Sequence, residues 1–286
     1  EAGLITYMRT DSVNLSEEAL INSENLIKTN YGENYHKKRI YKTKSSNAQE
    51  AHEAIRPTNF NLERAGKNES EKKLYNLIWR RTLASQMSEA LFERTVININ
   101  NHTEYEFKTS GEIMVFDGFL KLYNDNSDKT KLLPKIEKGS NLQFKEILCK
   151  EVFSKHPPRY SEASLIKKME DSGIGRPSTY AETIRKIRER EYVIKEEREG
   201  KIISSNEIRL IESKISKSIK EEKTGFEKNK IYPTNMGMFV TEFLNENFNS
   251  SFMDYSFTAK TESQLDQIAY KGRNWNDMLE DFYKVF

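Results

Sequence analysis

Ten residues near the start of the chain say most about its fold and chemistry: Gly3-Leu4-Ile5-Thr6-Tyr7-Met8-Arg9-Thr10-Asp11-Ser12. In an extended segment, side chains two positions apart point to the same side, so Arg9 would lie beside the hydroxyl of Tyr7. A phenol is a weak nucleophile at its free pKa of about 10, and a guanidinium can hold the oxygens of a phosphate that the phenol attacks. The spacing indicates either covalent phosphoryl transfer by tyrosine or an ordinary half-buried strand tyrosine beside a surface arginine.

Two later segments also carry residues that suit phosphate chemistry. His52 lies between alanines and Ile55 at helical spacing, which predicts an amphipathic helix with the imidazole at its packing edge. Residues 173–180, Gly-Ile-Gly-Arg-Pro-Ser-Thr-Tyr, place glycines, a guanidinium and hydroxyls before a helix. Backbone N–H groups at a helix start bind phosphate well. The alternatives are a histidine that packs in a core and a plain glycine turn with a capping hydroxyl.

These segments resemble conserved blocks of the type IA DNA topoisomerases, and bacterial topoisomerase I in particular. The blocks are 3–12, 46–57 (Ser-Asn-Ala-Gln-Glu-Ala-His-Glu-Ala-Ile-Arg-Pro), 160–170 (Tyr-Ser-Glu-Ala-Ser-Leu-Ile-Lys-Lys-Met-Glu), 173–181, 233–237 (Pro-Thr-Asn-Met-Gly) and 257–262 (Phe-Thr-Ala-Lys-Thr-Glu). They follow the family order and extend over essentially the whole chain. Met8 resembles topoisomerase I, since topoisomerase III tends to have proline there.

The resemblance implies a role for each candidate site residue. Tyr7 would attack a phosphodiester of single-stranded DNA, join the 5′ phosphate and free a 3′ hydroxyl. Arg9 would hold the scissile phosphate, and His52 would form a hydrogen bond near it. The residues expected to contact DNA are Thr6, Thr10, Asp11, Arg176, Ser178 and Thr179. Asp11 either orients Arg9 or caps a turn.

The resemblance also implies a cofactor and partners. Family members hold Mg²⁺ in an acidic Toprim domain upstream of the tyrosine, so no metal ligand is assigned to this chain. Because the chain lacks an initiator Met and starts six residues before Tyr7, we expect a piece of a longer polypeptide. Its expected partners are single-stranded DNA, negatively supercoiled DNA and that Toprim domain. The isolated chain should bind single-stranded DNA without relaxing supercoils.

Composition narrows the class of protein. The 286 residues carry a net charge of only +2, so any binding of a polyanion must depend on local clusters of Lys and Arg. No apolar run approaches the 18 residues of a membrane span and no signal peptide is evident. The resemblance implies a cytoplasmic protein at the bacterial nucleoid. The single cysteine, Cys149, excludes an internal disulfide framework and a cysteine-rich zinc site.

The hydrophobic pattern predicts an α+β, multi-domain fold. Helical spacing dominates residues 1–94, where a helix follows Ser16 and another covers 70–87 with Leu74, Leu77, Ile78 and Leu83 as its core face. Period-two alternation predicts a small antiparallel β unit over 95–158. Residues 159–286 return to helix, with a short hairpin over 192–203 closed at Glu199-Gly200, a charged insert at 214–223, and a helix from Thr234 with Met238, Phe239, Val240, Phe243 and Leu244 inside.

By resemblance, these three regions are a helical tyrosine domain (1–94), part of a β-rich gate (95–158) that belongs to the type IA toroid, and a helical DNA-groove domain (159–286). The basic run at 37–44 either faces DNA or is a solvated surface. Two alternative functions stay open. One is the topoisomerase part of a reverse gyrase, and the other is a module that binds single-stranded nucleic acid without chemistry of its own.

Overall fold

The computed structural model describes residues 2–10, 12–41, 52–101, 104–123, 132–248 and 253–284. The chain divides into two compact units, Glu1–Ser140 and Asn141–Phe286. Each unit combines helices with antiparallel strands, which confirms the α+β prediction. The boundaries of the three predicted domains stay a prediction. Among the described residues, no helix is long and apolar enough to cross a membrane.

The first unit is built on two helices, α1 (Glu17–Tyr31) and α2 (Glu69–Ser85). The side chain of Ser16 caps α1 as predicted, because its hydroxyl accepts a hydrogen bond from the backbone N–H three residues on. Asn68 caps α2 in the same way. Gly32 ends α1 with φ of 104°, a conformation that favours glycine.

The core face of α2 differs from the one predicted. Leu74 and Leu77 are 56% and 60% exposed, so the prediction was wrong for both. Leu83 is buried as predicted, and Tyr75 and Trp79 are buried with it at the four-residue spacing of one helix face. Hydrophobic spacing alone did not distinguish two neighbouring stripes on this helix, and the stripe with the larger aromatic area became the buried one.

A long β-ribbon follows α2. It consists of β1 (Leu91–Asn100) paired antiparallel with β2 (Glu106–Phe116). The alternation that begins at residue 95 therefore predicts a real strand, and residues Glu106–Phe116 form a second, continuous strand. A short 3₁₀ turn after β2 places Leu122 in the core between the helices.

The second unit contains two antiparallel sheets. The first has the order β3-β5-β6, with β3 (Glu146–Lys150), β5 (Lys201–Ile211) and β6 (Lys214–Thr224). The second pairs β4 (Val193–Arg198) with β7 (Glu227–Pro233). These pairings correct three expectations. β3 does not pair with the β1–β2 ribbon, the predicted hairpin over 192–203 is absent because β4 and β5 have other partners, and the charged insert is strand β6.

Five helices complete the second unit: α3 (Glu162–Asp171), α4 (Tyr180–Glu189), α5 (Asn235–Phe248), α6 (Tyr255–Lys271) and α7 (Trp275–Tyr283). Helix α5 starts where predicted, but Met238, Phe239 and Phe243 are 52–66% exposed rather than inside. The part of α5 that packs is its first turn. A Cβ on Gly237 would lie 2.1 Å from the carbonyl oxygen of Tyr192, so the helix start lies directly on the backbone that leads into β4.

Candidate active site and DNA-contact residues

The first and second sequence blocks lie side by side in the first unit. Ile5 and Pro57 form an antiparallel bridge. On either side of it, the backbone N–H of Thr6 donates to Arg56 O at 2.9 Å and that of Thr58 donates to Leu4 O at 3.0 Å. After α1 the chain thus returns to pair with the tyrosine segment, which brings the two blocks into one site.

The hydroxyl of Thr6 reinforces this pairing. It donates to the carbonyl of Ala54 at 2.8 Å and accepts from the backbone N–H of Arg56 at 2.9 Å. Thr6 was predicted to contact DNA, but in this structure its hydroxyl joins the two segments. Thr10 is exposed, and Asp11 lies outside the described residues.

Tyr7, Arg9 and His52 come together at the surface beyond the bridge. The rings of Tyr7 and His52 have centroids 5.3 Å apart and planes inclined at 30°. The guanidinium carbon of Arg9 lies 5.6 Å from the centroid of the Tyr7 ring. Tyr7 is 55% exposed, so it does not pack as the half-buried strand residue of the alternative interpretation. An exposed phenol, a guanidinium and an imidazole therefore lie next to one another.

The local structure around His52 differs from the predicted helix. Residues 52–57 contain no helix and run largely extended to the bridge at Pro57. The preceding part of this block, 46–51, lies outside the described residues. His52 therefore owes its place beside Tyr7 to the pairing between the two segments rather than to helical periodicity.

A partly buried ion pair that the sequence analysis missed holds this segment. The Nε and Nη2 atoms of Arg56 donate to the two carboxylate oxygens of Glu53 at 2.6 and 3.0 Å. The backbone N–H of Ser16 donates to the same carboxylate at 2.8 Å, which connects the start of α1 to the residue next to His52. The Arg56 and Glu53 side chains are 13% and 25% exposed. The available signal was an acid and a base three residues apart, directly after a candidate histidine.

The electrostatics of Glu53 follow from these contacts. Burial acts to raise the pKa of its carboxyl, but the hydrogen bonds from Arg56 and Ser16 act against burial and prevail, so the pKa is below its usual 4.5. Glu53 is thus a carboxylate at neutral pH and can keep its partners in place.

In the second unit, the predicted DNA-contact residues form a turn before α4. The Thr179 hydroxyl accepts from the backbone N–H of Arg176 at 2.9 Å and donates to its carbonyl at 3.1 Å. Ser178 and Thr179 are exposed. The Arg176 guanidinium forms an ion pair with Glu262 and another with Asp266, at 3.1 Å in the second case. The turn is therefore well defined, and its arginine already has acidic partners.

The basic run 37–44 is docked in the part that the structure describes. Lys37 forms an ion pair with Glu89 at 2.9 Å and Lys38 with Glu17 at 2.8 Å, while Arg39 also pairs with Glu89. Hydrogen bonds from Lys37, from backbone and from Arg39 lower the pKa of Glu89 to about 2. Residues 42–44 lie outside the described residues. These contacts favour the solvated-surface interpretation for residues 37–39.

The described residues do not fit a magnesium site. In that part of the chain, no three His, Cys, Asp or Glu side chains are grouped so that they could hold a metal ion. The acidic residues near the candidate sites instead pair with arginines. No catalytic step can therefore be assigned to a metal held by these residues.

Tyrosine is one of the side chains with which enzymes form covalent intermediates, and here an exposed tyrosine lies beside an arginine and a histidine on an α+β scaffold. The chain belongs to the DNA topoisomerase family, whose model matches residues 1–224.

Individual relatives agree with this family. The chain is 42% identical over 310 residues to a prokaryotic-type DNA topoisomerase 1 from Acanthamoeba polyphaga mimivirus, covering 99% of this chain and 36% of the relative. It is 40% identical over 290 residues to DNA topoisomerase 1 of Campylobacter jejuni, with 99% and 37% covered. Full-length topoisomerase I from Thermotoga maritima superposes with a TM-score of 0.73 at 33% identity, covering 99% of this chain and 42% of that chain. The chain thus spans little more than a third of the length of these two curated relatives.

Proposed function

We propose that this chain is the tyrosine-bearing part of a type IA DNA topoisomerase that relaxes negatively supercoiled DNA by transient cleavage of one strand. The observation that carries the proposal is the exposed Tyr7, with His52 5.3 Å away between ring centroids and the Arg9 guanidinium 5.6 Å from its ring. Membership of the DNA topoisomerase family supports the same chemistry.

In the proposed reaction, the phenol oxygen of Tyr7 forms a bond to the phosphorus of a DNA phosphodiester. The bond between that phosphorus and the 3′ oxygen breaks, the phenol proton passes to water, and the leaving oxygen takes up a proton as a 3′ hydroxyl. One phosphodiester replaces another, so the 3′ hydroxyl can reverse the attack and rejoin the strand without ATP.

The neighbouring residues have distinct proposed roles. Arg9 offsets the charge that develops on the phosphate, an effect for which loss of one donor typically costs about 100- to 1,000-fold in rate. His52 donates a hydrogen bond to a phosphate oxygen. Glu53 and Arg56 act indirectly, because their ion pair holds the segment that presents His52.

The rest of the proposal concerns partners. Arg176, Ser178 and Thr179 contact the backbone of single-stranded DNA, and Thr10 and Asp11 contact the strand near Tyr7. An upstream Toprim domain of the same polypeptide would hold Mg²⁺ with its own carboxylates, and no residue of this chain is assigned to that metal. The cytoplasm, at the bacterial nucleoid, is the proposed location.

The test replaces Tyr7 by Phe in the polypeptide that joins this chain to its Toprim domain. The aromatic ring stays, so folding and DNA binding should persist, while covalent capture of DNA and plasmid relaxation should fall below detection. Tyr270→Phe is the matched control, because Tyr270 is also exposed, at 72%, and should retain full activity. Denaturing gels of labelled oligonucleotide measure the covalent complex. Continued capture by Tyr7→Phe would show that another residue is the nucleophile.

A further inference from the structure

The sixth sequence block, 257–262, has no part in the proposed chemistry. The structure nevertheless packs it against the turn at residues 173–179, which carries the proposed DNA-contact residues. Ala259, Glu262 and Asp266 lie three and four residues apart on α6 and so share one face of that helix. A Cβ on Gly173 would lie 3.0 Å from the Cβ of Ala259, which shows how closely this face packs on the turn. The same face carries both acidic partners of Arg176.

The guanidinium of Arg176 is enclosed by acceptors. Nη1 contacts the carboxylate of Glu262 and donates to Gly175 O at 3.1 Å, and Nη2 donates to Asp266 at 3.1 Å. The Arg176 and Glu262 side chains are only 23% and 21% exposed. A carboxylate offers an arginine the same planar pair of oxygens as a phosphate does. Two carboxylates around one guanidinium leave a local charge of −1, which repels an incoming phosphate.

We propose that Glu262 and Asp266 regulate DNA binding at this turn: they occupy Arg176 in place of DNA phosphate, so that DNA binds by exchanging carboxylate oxygens for phosphate oxygens. The inference rests on the proposed DNA-binding function of the turn. The backbone need not move in this exchange, because the Thr179 hydroxyl holds both the N–H and the carbonyl of Arg176. The exchange lowers the affinity for a strand, which favours its release after religation.

The opposite role predicts the opposite result. If the two carboxylates simply held Arg176 in position to receive DNA, their removal would weaken binding. If they compete with phosphate, their removal strengthens binding. The sign of one affinity change therefore separates the two roles.

The experiment uses the 286-residue chain and a fluorescein-labelled 20-nucleotide oligothymidylate, with fluorescence anisotropy in low salt. The double substitution Glu262→Gln and Asp266→Asn should tighten binding at least about fivefold, the lower end of typical coupling between two ligands. The control is Glu246→Gln with Asp277→Asn, which changes the net charge equally at two other helices of the same unit and should change the affinity less than about twofold.

A double-mutant cycle completes the test. In an Arg176→Ala background, the Glu262 and Asp266 substitutions should no longer tighten binding, since the group they compete for is gone. Circular dichroism checks that each variant keeps its helix content. If the unsubstituted chain binds the oligonucleotide and the folded double variant Glu262→Gln, Asp266→Asn binds it equally or more weakly, the proposed exchange is wrong. DNA binding by this turn would not be contradicted by that result. If neither protein binds the oligonucleotide, DNA binding by this turn fails as well.

Discussion

At the scale of single residues, the candidate active site separates side chains that present the chemistry from side chains that hold the backbone. Tyr7 is exposed, whereas its neighbour Thr6 uses its hydroxyl to join two segments. Likewise His52 faces Tyr7, while Glu53 beside it is bound by Arg56 and Ser16. Adjacent residues in an extended segment point to opposite sides, which makes this alternation possible.

Glu53→Gln should destabilise the first unit in a pH-dependent manner. The substitution leaves the buried Arg56 without its carboxylate, which typically costs about 1–3 kcal/mol. Because the folded pKa of Glu53 lies below its usual 4.5, the carboxylate stabilises the fold above about pH 4.5, and this contribution is lost as the pH falls through the folded pKa.

The difference in unfolding free energy between native protein and Glu53→Gln should therefore be large at pH 7 and shrink below pH 4.5. Urea unfolding measures it in a Trp275→Phe background, where the fluorescence comes from Trp79 of the first unit, which is 5% exposed. Glu33→Gln is a suitable control, because that side chain is 78% exposed and should contribute little at any pH. A difference that does not vary with pH would contradict the role of the ionised carboxylate.

At the scale of secondary-structure elements, the sequence block 233–237 connects neighbouring helices and strands through hydrogen bonds. Thr234 donates its hydroxyl to Glu191 O and accepts from the N–H of Gly237, so the block 233–237 joins β7, α5 and the start of β4. Tyr232 in β7 is almost fully buried beneath the guanidinium of Arg198, 3.7 Å from its ring centroid. These contacts hold the start of α5 against the backbone that leads into β4.

Gly237→Ala should loosen the joint between α5 and β4. The new Cβ would lie 2.1 Å from the Tyr192 carbonyl oxygen, so the backbone must shift, at a typical cost of about 1–3 kcal/mol. A lower thermal unfolding temperature, measured by circular dichroism, is expected. Met238→Ala provides the comparison on the same helix, since Met238 is 58% exposed and should shift the temperature little. Equal temperatures for both variants would show that α5 does not depend on this close approach.

At the scale of the whole molecule, charge is abundant but balanced. The 46 Lys and Arg residues stand against 44 Asp and Glu, and many of the described ones form ion pairs. A chain of this kind has no strong overall field that attracts DNA. Binding must depend on a few local contacts with phosphates.

The affinity for single-stranded DNA should therefore fall with salt, but with a shallow slope. Each phosphate contact contributes a slope of about −0.7 on a logarithmic scale, so two or three contacts predict a loss of roughly tenfold between 50 and 200 mM salt. Titrations of oligothymidylate and of a mixed-sequence strand should agree, because backbone contacts do not distinguish bases. An affinity that does not change with salt concentration would show that binding does not depend on phosphate contacts.

The sequence by itself determined the local features of this protein. The capping residue of α1, the alternation in β1, the α+β class and the family followed from short segments, because each depends on neighbouring residues or on an intact motif. Tyr7, Arg9 and His52 were predicted as site residues in the same way, and the structure places them next to one another.

Only the tertiary structure decided which elements meet. The pairing of β3 with β5 and the contact between Glu53 and Ser16 join residues that are far apart in the chain. The burial of the aromatic face of α2 likewise depends on what the folded unit packs against it. Arg176 and Asp266 are 90 residues apart, so no local pattern could pair them. Periodicity specifies that a face is apolar or a strand is present, but the partner is chosen by packing and hydrogen bonding across the folded unit.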